Sequence, residues 1–255
     1  LYSPGWDNIA KTIEAYKPIR EEHYYLEEGR GFMADLFHLA RTLVRSADEL
    51  PKANEQRLRE YADAKLPALK QKLFSAAPIH DELEIATLTF SLVKLREELG
   101  PDDPTVKLVL GKKSPGDVAS ELIKGTKLKN VQVRKSLFEG GKKALDASTD
   151  PMIALARAID PHSRAIRKRY EDTVEGPLKK NSELVAKAFF QVHGTNTYPD
   201  ATFSLRLSYG QVKGFADQGK PVAPITTIAG AFERHTGRPP FDLPASWLKA
   251  KSKLD

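Results

Sequence analysis

Over most of this chain, apolar residues recur every three or four positions. Trp6, Ile9, Ile13 and Tyr16 form one series, and Phe32, Leu36, Leu39 and Leu43 form another. Leu58, Tyr61, Leu66, Leu69 and Leu73 continue the pattern, followed by Leu83, Leu88, Leu92, Leu95 and Leu99. This spacing puts apolar side chains on one face of a helix. It predicts a helix from Pro4 and others over about 32–47, 52–74 and 79–99. Pro18 should kink or restart the first helix, with a second piece running to Glu28 until Gly29 and Gly31 end it. Pro67 interrupts the pattern of the third series. Shorter helices are expected over 104–110, 115–124 and 130–139, and two or three more before Gly194. Ser3-Pro4, Asp103-Pro104, Ser114-Pro115, Asp150-Pro151 and Asp160-Pro161 read as helix starts. In each, a side-chain oxygen can accept from the free amides of a first turn, and proline sits where its missing N–H is not needed. Antiparallel helices joined by short Pro/Gly loops follow from this.

After Gly194 the period drops to two. Phe203, Leu205, Leu207 and Tyr209 alternate with Thr202, Ser204, Arg206 and Ser208, which predicts a half-buried strand over 201–209. Val222 to Thr227 is a second extended piece expected to pair with it, and Gly210 and Gly214 mark a bulge or bend. Short helices are expected over 229–235 and from Pro244. Two strands make no stable sheet in water. The expected fold is therefore mainly α: a multi-helix antiparallel domain over 1–196, then an incomplete β segment over 197–255. The missing strands would belong to other parts of a longer polypeptide.

Composition narrows the partners. A length of 255 residues fits one or two domains. No apolar run is long enough to cross a bilayer, and the start has no basic stretch followed by an apolar one, so neither membrane insertion nor a signal peptide is expected in these residues. The absence of cysteine excludes disulfides and thiolate metal sites. The net charge of +6 is modest and both signs are interspersed, so nucleic acid is not an expected partner. The one basic run, Arg164, Arg167, Lys168 and Arg169, precedes Glu171, Asp172 and Glu175. Pairing along the helix accounts for it better than phosphate binding.

Candidate chemistry is sparse. His23, His38, His80, His162, His193 and His235 form no metal-ligand spacing, so no metal site and no cofactor is expected. His38 reads as a packed or surface residue, and His193 as a cation at a helix end. The acidic pairs Glu21-Glu22, Glu27-Glu28, Glu97-Glu98 and Asp102-Asp103 read mostly as solvated helix faces, because adjacent helical residues point apart. Gly140-Gly141, followed by two lysines, reads as a turn. Nucleophile-elbow, dinucleotide-binding and phosphate-loop motifs are all missing. No catalytic residue is assigned to any position, and no substrate-binding residue is identified.

PDATFSLRLSYGQVKGF is nevertheless specific. It resembles the segment leading to the catalytic serine region of the bacterial dipeptidyl-peptidase 7 and 11 family. Upstream, FMADLFHLARTLVR, NEQRLREYADAKLPALKQKLFS, DPMIALARAID and RKRYEDTVEGP look like that family's helical domain. Downstream, PVAPITTIAGAFERHTG and PFDLPASWLKAKSKLD look like the approach to the nucleophile. The resemblance covers essentially the whole chain. It implies a serine exopeptidase with a chymotrypsin-like double β-barrel interrupted by a helical insertion. Tyr198 to Phe215 would then begin the second barrel, and Phe203, Leu205, Leu207 and Tyr209 would be barrel core. The family's Gly-Asn-Ser-Gly-Ser motif is not found here. The one Asn-Ser pair, Asn181-Ser182, lies in a charged helical stretch. No match to the family's catalytic His or Asp is found either. The resemblance thus implies a parent enzyme that takes peptides with free N-termini, as a homodimer in the periplasm or at the cell surface. This piece would lack the triad, supply the helical cap and be inactive alone. A stand-alone helical scaffold or interaction module is the alternative.

Overall fold

The computed structural model describes residues 3–194 and 207–253. It is mostly helical, with one small antiparallel sheet. The chain divides into two compact units, Leu1–Thr197 and Tyr198–Asp255.

The first unit opens with α1 (Ser3–Tyr16). Pro18 then turns the chain through a 3-10 turn (Lys17–Ile19), the single turn α2 (Arg20–Glu22) and a π-helical turn (His23–Glu27). Gly29, at φ +76°, ends this run. Gly31 is held by close approach. A Cβ there would lie 2.9 Å from Leu95 Cδ1 and 3.0 Å from the Tyr25 carbonyl oxygen.

Next comes α3 (Asp35–Glu49), which starts three residues later than its apolar period suggests. The reason is a cap supplied from elsewhere in the chain. The buried Glu84 carboxylate accepts the N–H groups of Asp35 (3.1 Å) and Leu36 (2.9 Å). Phe32 stays outside the helix yet fully buried, stacked on Phe37 at 4.5 Å.

The long helix expected over 52–74 does not form. Three 3-10 turns (Asn54–Gln56, Arg59–Tyr61 and Asp63–Lys65) precede a short α4 (Leu66–Leu73). Polar side chains capture the amides that a helix would use. Glu49 accepts from the Leu58 N–H at 2.8 Å, and Asn54 from the Asp63 N–H at 2.8 Å. Pro67 then sits at the start of α4, where it is tolerated.

The remaining helices are α5 (Asp81–Leu99), α6 (Pro104–Leu110), α7 (Pro115–Gly125), α8 (Val131–Asp146), α9 (Pro151–Tyr170) and α10 (Gly176–His193). Asp103, Ser114 and Asp150 cap the first turns of α6, α7 and α9, as their proline partners predict. Gly141 breaks α8 with non-helical geometry, so the glycine pair is a turn within a helix.

Asp160-Pro161 is not a helix start. It lies inside α9, although an interior proline costs about 3 kcal/mol. The Asp160 carboxylate accepts from Arg45 and Arg164 instead of capping amides, and buried Met152, Ile153, Ala156, Ile159 and Ile166 hold the helix on the core from both sides of Pro161.

α3 packs between α8 and α9, α5 packs on α7, and α1 on α10. Leu36, Leu43, Leu88, Leu92, Leu95 and Ile153 are fully buried in one continuous core. Each such side chain stabilises the unit by about 1.5–3 kcal/mol. Leu83, Trp6 and Ile13, assigned to helix stripes, are exposed instead.

In the second unit the sheet is a hairpin of β1 (Phe215–Asp217) and β2 (Lys220–Val222), paired Phe215 to Val222 and Asp217 to Lys220. It therefore lies between the two strands expected from sequence. Gln218 and Gly219 adopt positive φ and make the tight turn there. Phe203 and Leu205 of the expected strand lie outside the described residues. Leu207 (82%) and Tyr209 (92%) are exposed and carry no regular structure, so in this chain they form no core. Two short helices follow, α11 (Ile228–Glu233) and α12 (Ala245–Ala250). Among the described residues no helix is long and apolar enough to cross a membrane.

Candidate functional site

The polar residues of the first unit gather in a place that local sequence does not reveal. Arg41, Arg45 and Glu49 recur every four residues on α3, and Asp160, Ser163, Arg164 and Arg167 follow one face of α9. Where the two helices pack, these rows interlock. Glu27, from the π-helical turn, accepts from Arg41 (2.7 Å), Arg45 (2.6 Å) and the Ser163 hydroxyl (2.7 Å). Arg45 Nε reaches Asp160 at 2.5 Å, and Arg164 joins Asp160 to Glu49 with two further 2.5 Å bonds. Arg167 bridges Glu60 (2.6 Å) and Glu171 (2.8 Å). Lys52 adds a 2.7 Å bond to Glu49.

The electrostatics are those of a paired clamp. Burial works to raise the Glu27 carboxyl, but the Arg45 hydrogen bond and the Arg41 charge outweigh it and hold the pKa below the usual carboxylate range. Burial opposes ionisation of Glu49 in the same way. Bonds from Lys52, the Leu58 N–H and Arg164 overcome it and hold the group at about 2. Glu60 is also lowered, burial again being outweighed, here by Arg167. Carboxylates held ionised in this way are poor general acids. The Ser163 hydroxyl lies 2.7 Å from Glu27 and 3.1 Å from the Leu26 carbonyl, two acceptors for its one proton, and among the described residues has no imidazole beside it, so the cluster does not have the make-up of a nucleophile site.

One arrangement has the order of a catalytic relay. The Thr105 hydroxyl lies 2.9 Å from His162 Nδ1, and His162 Nε2 lies 3.5 Å from Glu22. Thr105 is buried, so no substrate carbonyl can reach it. The contact is packing between α6 and α9.

The sequence-flagged residues fall elsewhere. His38 is half-buried on α3, and burial first, then the Arg41 and Lys72 charges, push its pKa down. His23 stacks on Tyr170 at 4.0 Å, and burial lowers its pKa despite Glu28 and Glu27. His193 lies in the last turn of α10, its ring 4.6 Å from Phe189. The basic run pairs along α9 as expected at Arg167–Glu171 and Lys168–Asp172, both 2.8 Å. Its longer reach to Glu49, Glu60 and Glu27 was not legible locally. Glu27 is the clearest correction: it belongs to the buried clamp and not to a solvated face. Among the described residues no cluster of His, Asp or Glu has the geometry to hold a metal.

Beside the clamp lies a cavity of about 790 Å³, bounded by α3, the Arg59–Tyr61 turn, α4 and residues 75–79. Its walls are mostly apolar, with Leu39, Leu69, Leu73 and Ile79 prominent. Its charged side chains are mainly basic: Arg59, Lys65, Lys72, Arg134 and Arg167, against Asp35 and Glu60.

Comparison with known proteins places the chain in a family. The family model described as Peptidase S46 matches residues 1–255. An Asp/Glu-specific dipeptidyl-peptidase from Shewanella putrefaciens is 30% identical over 132 residues, covering 50% of this chain and 18% of that protein. An Asp/Glu-specific dipeptidyl-peptidase from Flavobacterium psychrophilum is 29% identical over 127 residues, covering 48% of this chain and 18% of that protein. The crystal structure of Porphyromonas endodontalis DPP11 in an alternate conformation superposes over 99% of this chain and 38% of its own, with a TM-score of 0.53 and 17% identity. At that identity the likeness speaks for the fold. The chain spans well under half the length of the solved protein it matches.

Proposed function

The chain belongs to the peptidase S46 family, and on that premise we propose that it is an internal piece of a serine-type dipeptidyl-peptidase. In this reading its helical unit caps the cleft of an enzyme that releases dipeptides from free N-termini. The serine that attacks, the histidine that takes its proton and the aspartate that orients the histidine would come from outside these 255 residues. The cap would act by bulk, keeping out chains that extend past their N-terminus, and needs no reactive side chain to do so.

One observation carries this reading. Among the described residues after Gly194 no side chain is buried, while Phe215, Ile225, Phe241 and Trp247 are exposed. That much exposed apolar surface supports a unit completed by other parts of the protein, and the remaining strands of a second barrel are the partners proposed. The β-barrel itself, the homodimer and a periplasmic or cell-surface location belong to the same proposal. Asp/Glu specificity, from the names of the two relatives, is the substrate preference to test first.

The full-length protein should release dipeptides from chromogenic substrates with a free N-terminus and lose that activity when the terminus is acetylated. The 255-residue chain should release none. Turnover by the repurified chain alone would place the active site within it and overturn the reading.

A further inference from the structure

We propose that the cavity between α3 and α4 is a binding site for a small carboxylate with an apolar body, anchored by Arg134. The site does not depend on the peptidase reading; the choice of a dipeptide as one of its two probes does.

Arg134 lies in the first turn of α8, at the cavity wall, and is only 2% exposed. The hydrogen bond found for its guanidinium is to the Ser75 carbonyl, at 2.7 Å. Its Nε, also buried, has no partner. Among the described residues no carboxylate pairs with it, although every arginine of the neighbouring clamp has one. A buried cation without an anion is strongly unfavourable, and a helix N-terminus is the wrong end for one. Such exceptions call for a missing partner.

The surroundings favour an anion as that partner. Arg59 and Arg167 are already committed to Glu175 and Glu60. Lys65 and Lys72 have no ion pair among the described residues and leave the rim net positive. A carboxylate accepting from this guanidinium at the cavity wall would supply the missing countercharge. The rest of the ligand follows from the walls. About 790 Å³ lined by Leu39, Leu69, Leu73 and Ile79 lies within the size range of small-molecule pockets and suits an aliphatic body. A medium-chain fatty acid and a dipeptide with an apolar first residue and an acidic second one share this chemistry.

Calorimetric titration of the full-length protein with decanoate, with the dipeptide Leu-Glu and with decanol tests the proposal. Decanoate or Leu-Glu should bind, and whichever loses that binding in Ala68→Trp identifies the source; Leu-Glu held at a catalytic cleft would keep it. Decanol, which lacks the carboxylate, should bind at least tenfold more weakly than decanoate. Arg134→Met should weaken the bound probe at least tenfold while leaving the thermal midpoint unchanged or higher, because it removes an unpaired charge. Ala68→Trp, on the exposed side of α4, should block the cavity without touching Arg134 and abolish binding even if the Arg134 variant fails to fold. Absence of binding by both carboxylates at millimolar concentration overturns the proposal. So does equal binding of decanol and decanoate, or undiminished binding by either variant.

Discussion

The two units of this chain solve the problem of stability in opposite ways. The helical unit buries a continuous core from Tyr25 to Ile159 and then seals its α3–α9 seam with paired charges. The unit from Tyr198 contains a hairpin of two three-residue strands and two six-residue helices, and none of its described side chains is buried. Its apolar residues are no scarcer, yet none of the described ones is buried. Composition alone therefore does not make a core. A core forms when enough amphipathic faces lie within one stretch of chain, as in the first unit, and a two-stranded hairpin with two short helices does not supply them.

The contrast should be sharpest at Arg45. This side chain is 3% exposed and joins Glu27 to Asp160. Arg45→Met leaves Glu27 to Arg41 and Arg167 and leaves Asp160 only Arg164 as cations, and it removes the bridge between the two carboxylates, which should cost about 2–4 kcal/mol of stability. Urea denaturation monitored by the helical circular dichroism signal would measure this. A loss under about 1 kcal/mol would mean that solvent enters the seam and that the clamp does not hold the unit together.

The legibility of the sequence follows the same division. Helices whose apolar stripe and cap both lie within a few residues were readable. α6, α7 and α9 start where Asp103-Pro104, Ser114-Pro115 and Asp150-Pro151 place them. Reading failed where a distant group decided the outcome. Glu84 sets the start of α3 from another helix, and Glu49 draws the Leu58 amide out of the helix expected over 52–74. Asp160 has the sequence position of a cap beside Pro161, but its carboxylate accepts from Arg45 on α3 and Arg164 on α9 instead. The clamp left no trace in sequence: Arg41, Arg45 and Glu49 recur every four residues on the side of α3 away from Leu36, Leu39 and Leu43, where charges are ordinary. Arg134 left none either, because its isolation depends on what is absent around it in space.

Acid should separate the units next. The Glu49 carboxyl, held at about 2 by Lys52, Arg164 and the Leu58 amide, titrates well below an unfolded-chain glutamate near 4.5. In that interval the unfolded state binds the proton and the folded state does not. The stability from Glu49 is therefore fully present above about pH 4.5 and is lost as pH falls towards about 2. Glu49→Gln should weaken the helical unit at neutral pH and flatten its acid limb by up to about 1.4 kcal/mol per pH unit, the contribution of one proton. Denaturation midpoints for both proteins at several values between pH 2 and 6 check this. Identical acid slopes would show that Glu49 is not held ionised by the fold.

The smallest effect is expected at Trp247, and it bears most directly on the proposed function. Trp247 lies on α12 and is 49% exposed, in a unit with no buried described residue. In the 255-residue chain, Trp247→Ala removes little packing and should change stability by no more than about 0.5 kcal/mol. If the rest of a barrel covers this surface in the full-length protein, the same substitution deletes a buried aromatic there and should cost about 3–5 kcal/mol. The two measurements form a difference that depends only on what packs over α12. A large loss in the short chain would mean that the second unit holds Trp247 without help. A negligible loss in both proteins would mean that nothing covers it, and the incomplete-barrel reading would fall with that result.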